Sequence, residues 1–223
     1  MPDTAVFDVD GTLVDTNYQH AMAWFRAFRR YGITRPLWRI HRAIGMGGDL
    51  LVAHVAGQQV EEEHGDELRN AWVEEFDRFL PEVAPFEDAR ALLEEVKERG
   101  FRLVLASSGM SKHVDAFLDL IDGRSIADAW TTSDDAEHSK PEPDIVQVAM
   151  AQVEGASGVM IGDSTWDCIA AGKLDVPTIA VRTGGFSPEE LTQAGAAQVF
   201  ESLRELREGL DGTLLARPDR AAA

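Results

Sequence analysis

Two aspartates, Asp8 and Asp10, end a short apolar run, Ala5-Val6-Phe7, and are followed by Gly11-Thr12. Two positions apart on an extended strand, both side chains leave the same face. Carboxylates that close together repel unless a cation neutralises them, and oxygen donors with room for water and substrate suit Mg2+. Three more clusters carry matching groups: Ser107-Ser108-Gly109, Lys140-Pro141-Glu142-Pro143, and Gly162-Asp163-Ser164-Thr165-Trp166-Asp167. Lys140 is a fixed positive charge, and Ser107 with nearby backbone amides offers donors to an anion. With Asp8 and Asp163 on a divalent cation beside Lys140, such a pocket is slightly positive and accepts a phosphate dianion. The acidity of the whole chain does not forbid this, because charges beyond a Debye length of about 8 Å are screened.

The elements that must bring these clusters together are readable from periodicity. The spacing predicts a buried strand at 5–8, then helices over 17–30, a stretch containing Leu37, Ile40 and Ile44, 49–56, and 61–80. From about Pro85 the pattern changes to alternating helix and strand. Helices are expected at 87–99, 111–121, 143–152, 165–173 and 202–209, with strands at 101–106, 129–132, 159–161, 178–181 and 197–200. Such alternation means a parallel sheet covered on both faces. All four clusters fall at predicted strand ends or the loops after them, so they converge on one edge. The first crossover is too long for a simple βαβ unit. Its helical residues read as a subdomain over 16–85 inserted after the first strand, leaving 1–15 and 86–223 as the α/β core. The insert would stand over the carboxyl ends of the strands, where open α/β sheets bind ligands.

The chain of 223 residues carries 39 acidic and 21 basic residues, a formal net charge of −18. That balance argues against a nucleic-acid or anionic-membrane partner. A single cysteine, Cys168, excludes an internal disulfide framework and fits a reducing compartment. No basic segment followed by an apolar run opens the chain, and no stretch approaches the ~20 apolar residues of a membrane helix. A soluble cytoplasmic protein is expected. No coiled-coil heptad or apolar seam is readable, and a monomer is the expectation. The last dozen residues, 212–223, ending Arg217-Pro218-Asp219-Arg220 and three alanines, read as frayed.

The four clusters, in this order from Asp8 to Asp167, resemble the haloacid dehalogenase superfamily of phosphohydrolases, in its helical-cap branch of phosphoglycolate phosphatase-like and beta-phosphoglucomutase-like members. D-x-D-G-T and G-D-S-x-x-D are the specific motifs; the serine and lysine add to them. The resemblance implies a Rossmann-like α/β fold with a helical cap and a Mg2+-dependent phosphatase acting on a small phosphorylated metabolite. It implies Asp8 as nucleophile and Asp10 as general acid, then base. Mg2+ would be held by Asp8, Asp163 and the Asp10 main-chain carbonyl. Ser107, Ser108, Gly109 and Lys140 would hold the phosphoryl group, with Asp167 one layer behind the metal. The chemistry of the residues agrees. A carboxylate nucleophile splits a hard hydrolysis into two easier steps through an acyl phosphate, and a neighbouring acid can protonate the departing alkoxide and later activate water.

One stretch departs from the acidic average. Residues 17–48 hold Arg26, Arg29, Arg30, Arg35, Arg39 and Arg42, and no acid. Arg35, Arg39 and Arg42 fall on one face of a continuous helix. Either they are a solvated stripe pairing with the acidic helices of the same insert, or Arg39 and Arg42, nearest the Gly45-Met46-Gly47-Gly48 loop, read a second anionic group of the substrate. The stripe Trp72, Phe76, Phe79 is expected in the core of the insert, and Glu61-Glu62-Glu63 and Glu74-Glu75 on solvated faces. The alternative within the family is a sugar-phosphate mutase, which His20 and Asp15-Thr16 would suit, although the glycine loop lacks an arginine. Dehalogenation is disfavoured by Asp10, and Schiff-base chemistry by the absence of lysine before Lys97. A phosphorylated signalling receiver would share the acids, lysine and metal, but the insert would bury its signalling face. A member retired to an interaction role is disfavoured because no motif residue is lost.

Overall fold

The computed structural model describes residues 2–155 and 157–216; of the tail expected to fray from residue 212, the part from Arg217 onward lies outside them, whereas Leu215 is buried in the main core because an apolar side chain there packs with Leu206 and Leu210. The elements run β1 (Thr4–Asp8), β2 (Val14–Asp15), α1 (Asn17–Arg30), α2 (Leu37–His41), α3 (Gly48–Ala56), α4 (Gln58–Asp77) and β3 (Ala84–Pro85). Then follow α5 (Ala89–Glu98), β4 (Arg102–Ala106), α6 (Ser111–Leu120), α7 (Gly123–Ile126), β5 (Ala129–Thr131) and α8 (Asp144–Gln152). The chain continues through β6 (Gly158–Gly162), α9 (Thr165–Gly172), β7 (Thr178–Val181), α10 (Pro188–Gln193), β8 (Ala196–Phe200) and α11 (Leu203–Glu208). Among the described residues the main sheet is parallel with strand order β5-β4-β1-β6-β7-β8. Helix α10 is the one longer than a single turn that periodicity missed. Its signal was capping chemistry: the Ser187 side chain accepts from the Glu190 amide, and Pro188 stands in the first turn.

Alternation along the strands sorts their side chains onto two faces. Ala5, Phe7, Leu103, Leu105, Val159 and Ile161 pack with Leu92, Val96, Phe117 and Leu206 on the side of α5, α6 and α11. Val6, Val104, Ala106 and Met160 pack with Val146, Ala149, Ala170 and Ala171 on the side of α8 and α9. Asp8 continues the Val6 face. It therefore meets the residues that α8 and α9 bring to the edge.

The helices α1–α4 share a second core built on Trp24, Phe28, Ile40, Leu51 and Leu68. The chain leaves and re-enters the main sheet through β2 and β3, which pair antiparallel, Val14 opposite Pro85. Two expectations for α4 need correction. Phe76 and Phe79 pack against the core of the main sheet rather than that of the insert, while Trp72 touches both. Glu75 is not a solvated acid: it is 5% exposed and held by Arg78, Arg26 and Arg30. The basic residues of α1 offset it, which period alone could not reveal.

Candidate active site

β1 ends at the middle of the sheet with β4 and β6 on either side, so the loops after all three meet where the strand order reverses. Asp8 is buried at that point, and Lys140, just ahead of α8, donates to its Oδ1. The same ammonium lies 2.6 Å from Asp167 Oδ1 on α9. The Thr12 hydroxyl spans Asp8 Oδ2 at 3.0 Å and Asp163 Oδ1 at 2.8 Å, and Asn17 donates to Asp163 Oδ2 at 2.7 Å. Gly184 packs so closely on Asp163 that a Cβ there would collide with its carboxylate.

Asp8, Asp163 and Asp167 each bring one carboxylate oxygen within 4.8 Å of the others, all three buried. Burial raises Asp8 well above the usual carboxylate range, against the pull of Lys140. Burial and then the Asp167 charge push Asp163 up to about 7. Burial opposes the Lys140 charge, but Asp167 and Asp8 outweigh it and raise Lys140 above its ordinary value. One ammonium faces three carboxylates. The remaining negative charge and the all-oxygen donor set fit a hard divalent cation. Asp167 is less remote than expected: besides meeting Lys140, its Oδ2 accepts from the Ser164 amide and hydroxyl in a capping box that starts α9.

Asp10 is held differently. Its Oδ2 accepts from Ser107 Oγ at 2.7 Å, and its Oδ1 lies 3.1 Å from His20 Nε2. Burial works against the Asp10 charge, but the bonds from His20 and Ser107 prevail and lower Asp10 below its usual value. Its carboxylate stands outside the acidic triad, so any share in a metal falls to the main-chain carbonyl that the resemblance implied. His20 is clamped by aromatic stacking, 3.9 Å from the Phe76 ring centroid and 5.6 Å from that of Trp72. Ser107 gives its hydroxyl to Asp10 and accepts from the Gly109 amide, while the Ser108 hydroxyl is buried without a partner.

Asp8, Asp10, Lys140, Ser108 and Gly109 line one cavity of about 450 Å³, roofed by His20, Trp24 and Trp72 of the insert and by the Ile44–Gly48 segment. The glycine loop docks tightly. Gly45 has φ +101°, and a Cβ there would lie 2.8 Å from Ser164 Oγ. The Gly47 amide donates to Ser139 Oγ at 3.1 Å.

The arginine stripe is not brought to this cavity. Arg39 and Arg42 are absent from its lining, because α2 stops at His41 and the three arginines share no continuous helix. Arg42 instead bonds the Gly185 carbonyl at 3.1 Å and Glu190 at 3.2 Å and covers Phe186, fastening the insert to the main sheet's lobe. Arg39 lies over the exposed Trp38 ring, and Arg35 donates to the Val55 and Ala56 carbonyls at the end of α3. The cavity's own arginine is Arg69 of α4, hidden in the sequence by the acids around it. Asn17, Thr12 and Arg69 were given no individual role in the sequence: Asn17 and Thr12 reach Asp163 far along the chain, and Arg69 is masked by the acids of its own helix. Cys168 packs with Ala180, Phe186 and Leu191, and burial pushes its thiol up to about 12, leaving it inert.

The family model described as haloacid dehalogenase-like hydrolase matches residues 5–181, from the first strand through β7. The chain belongs to that family. The phosphoglycolate phosphatase of Caulobacter vibrioides is 28% identical to this hydrolase over 210 residues, covering 91% of this chain and 88% of that protein. The validoxylamine A 7'-phosphate phosphatase of Streptomyces hygroscopicus subsp. limoneus is 24% identical, covering 93% and 97%. A hydrolase structure from Pseudomonas syringae superposes with a TM-score of 0.88 at 29% identity, over 94% of this chain and 98% of that one. No helix among the described residues of this hydrolase is long and apolar enough to cross a membrane.

Proposed function

We propose that this phosphoric monoester hydrolase is a Mg2+-dependent phosphatase that frees a small alcohol from its phosphate through an aspartyl phosphate on Asp8. The observation that carries the reading is the division of labour between two aspartates in one cavity. Asp8 sits between Lys140 and two further carboxylates, while Asp10 is bonded to Ser107 and His20. Asp8, Asp163 and the Asp10 carbonyl would hold Mg2+, which when bound supplies positive charge against the phosphoryl oxygens. Lys140 favours the ionised form of Asp8 against its burial and holds it placed for in-line attack. As the Asp8–phosphorus bond forms, the ester oxygen leaves and takes a proton from the Asp10 carboxyl. Asp10, again a carboxylate, then draws a proton from water as that water attacks phosphorus and the bond to Asp8 breaks. His20, within reach of Asp10 Oδ1, steadies that proton, and the insert, residues 16–85 acting as a cap, keeps bulk water away.

Turnover of p-nitrophenyl phosphate with Mg2+ tests the reading. Asp8→Asn should abolish turnover while leaving the fold intact, and the wild type quenched in mid-turnover should gain one phosphoryl group by mass. If Asp8→Asn keeps more than about a tenth of wild-type kcat, the nucleophile is elsewhere. A sugar-phosphate mutase is favoured only by the bond between His20 and Asp10. Phosphorus NMR with glucose 1-phosphate separates the two, since a mutase yields glucose 6-phosphate and a phosphatase yields inorganic phosphate.

A further inference from the structure

The cavity is larger than a phosphoryl group requires, and its lining outside the reacting centre carries a distinctive balance of charge. Arg69 is the lining arginine, yet it is already engaged. Its Nη1 donates to the Gly48 carbonyl and Glu61 Oε2, each at 3.1 Å, and its Nη2 to Glu61 Oε1 at 2.8 Å and Asp66 Oδ1 at 2.9 Å. Four of the five guanidinium donors are thus taken, and two carboxylates neutralise its charge. Apart from Asp8, Asp10, His20 and Lys140 of the reacting centre, the other charged residues of the lining are acids, Asp49 and Glu137. Asp49 accepts only a neutral hydroxyl bond, from Ser139 at 2.6 Å. Among the described lining residues, no lysine or arginine besides Lys140 and the neutralised Arg69 is present to receive a carboxylate or second phosphate. The apolar wall is aromatic: Trp24 and Trp72 stack at 5.4 Å with planes 15° apart. With Trp72 also stacked on His20 and Phe76, the two indoles form an apolar wall rather than free ring faces. A volume of about 450 Å³ is within the range of sites that enclose drug-sized ligands and far exceeds the needs of a two-carbon acid.

We infer that the leaving alcohol is larger than a two-carbon acid, uncharged or bearing an amine, with no second anionic group. The inference rests on the phosphatase reading for the orientation of the ester, with phosphate at Asp8 and the alcohol toward Trp24, Trp72 and Asp49. It replaces the expectation that the insert's arginines select a second anion. A carboxylate placed about 8 Å from Asp49 meets a like charge that disfavours it by roughly thirtyfold at the effective dielectric near a protein surface. An ammonium there is favoured.

Calorimetric titration of the Asp8→Asn protein with Mg2+, which does not consume the ligand, reads the order of affinities directly. The probes are glucose 1-phosphate, glucosamine 1-phosphate and glucuronate 1-phosphate, alike in ring and phosphate and different in charge. Glucose 1-phosphate and glucosamine 1-phosphate should bind at least about tenfold more tightly than glucuronate 1-phosphate. Releasing Arg69 with the double substitution Glu61→Gln and Asp66→Asn should narrow that gap by about fivefold or more. Equal or tighter binding of glucuronate 1-phosphate, binding of none of the three, or a gap unchanged on releasing Arg69 would overturn the inference. Failure of the phosphatase reading shows separately, as a wild-type protein that does not turn over p-nitrophenyl phosphate while the order of affinities is still measured.

Discussion

Lys140→Met removes the cation at the centre of the site while keeping a side chain of similar length. The Lys140 and Asp167 side chains are each 2% exposed and that of Asp8 is 6% exposed, so water cannot replace the lost charge. Breaking a buried pair by removing one partner costs about 3–5 kcal/mol. For a domain of this size each kcal/mol moves Tm by about 2–4 °C, so Tm should fall by about 6–20 °C near neutral pH without divalent metal. The deficit has a pH signature. Burial already raises Asp8, and in the variant nothing offsets it. A carboxyl whose folded pKa lies above its unfolded value supports the fold at low pH and loses that support as pH rises through the folded value. The variant's deficit should therefore shrink toward about pH 5 and grow above neutrality. Mg2+ should raise Tm more in the variant than in the wild type, since it restores positive charge to the triad. Scanning calorimetry over pH, with and without Mg2+, reads all three effects, and kcat should fall at least about a hundredfold. A Tm within about 2 °C of wild type at neutral pH without metal would refute Lys140 as the counter-charge.

Other outcomes follow from the same geometry. Asp10→Asn should slow alkyl phosphates more than p-nitrophenyl phosphate in the first step and leave the aryl substrate stalled as phosphoenzyme; equal losses with no intermediate by mass spectrometry would contradict the acid–base role. Arg42→Ala should lower stability by about 1 kcal/mol or less, because its bonds to Gly185 and Glu190 are partly exposed, and it should change kcat/KM in parallel on all substrates; selective loss on an anionic substrate would return Arg42 to specificity. Burial, together with nearby His20, holds His113 below the ordinary histidine value, although Asp77 accepts from its Nε2 at 2.9 Å. Its native state takes up a proton less readily than the unfolded chain, so stability should be full above about pH 6.5 and fall as pH drops below it. His113→Gln should flatten the fall in Tm between about pH 7 and 5.5, and an equal slope in both proteins would assign the dependence elsewhere, with His41, also lowered by burial, as the remaining candidate.

The sequence by itself determined the elements and the chemistry at the sheet edge. Side-chain alternation and helical period are set within a few residues, so the first strand, the helix at 17–30 and the strand at 178–181 were legible at their observed bounds. The four clusters were legible for a related reason: chemistry concentrated at the ends of parallel strands must meet, whatever the details of packing. What only the tertiary structure decided are partnerships between residues remote in the chain. Asn17 reaches Asp163 across 146 positions, and Ser107 reaches Asp10 across 97. The choice of Arg69 over Arg39 and Arg42 at the cavity belongs here too. A run of six arginines without an acid is conspicuous in sequence, but an arginine goes where carbonyls and carboxylates satisfy its donors. Those partners lie on α3, on α4 and beside α10, and where they lie relative to α1 and α2 is set by how the insert folds and docks on the sheet. Local pattern fixes which residues carry charge; only docking fixes which charge faces the ligand.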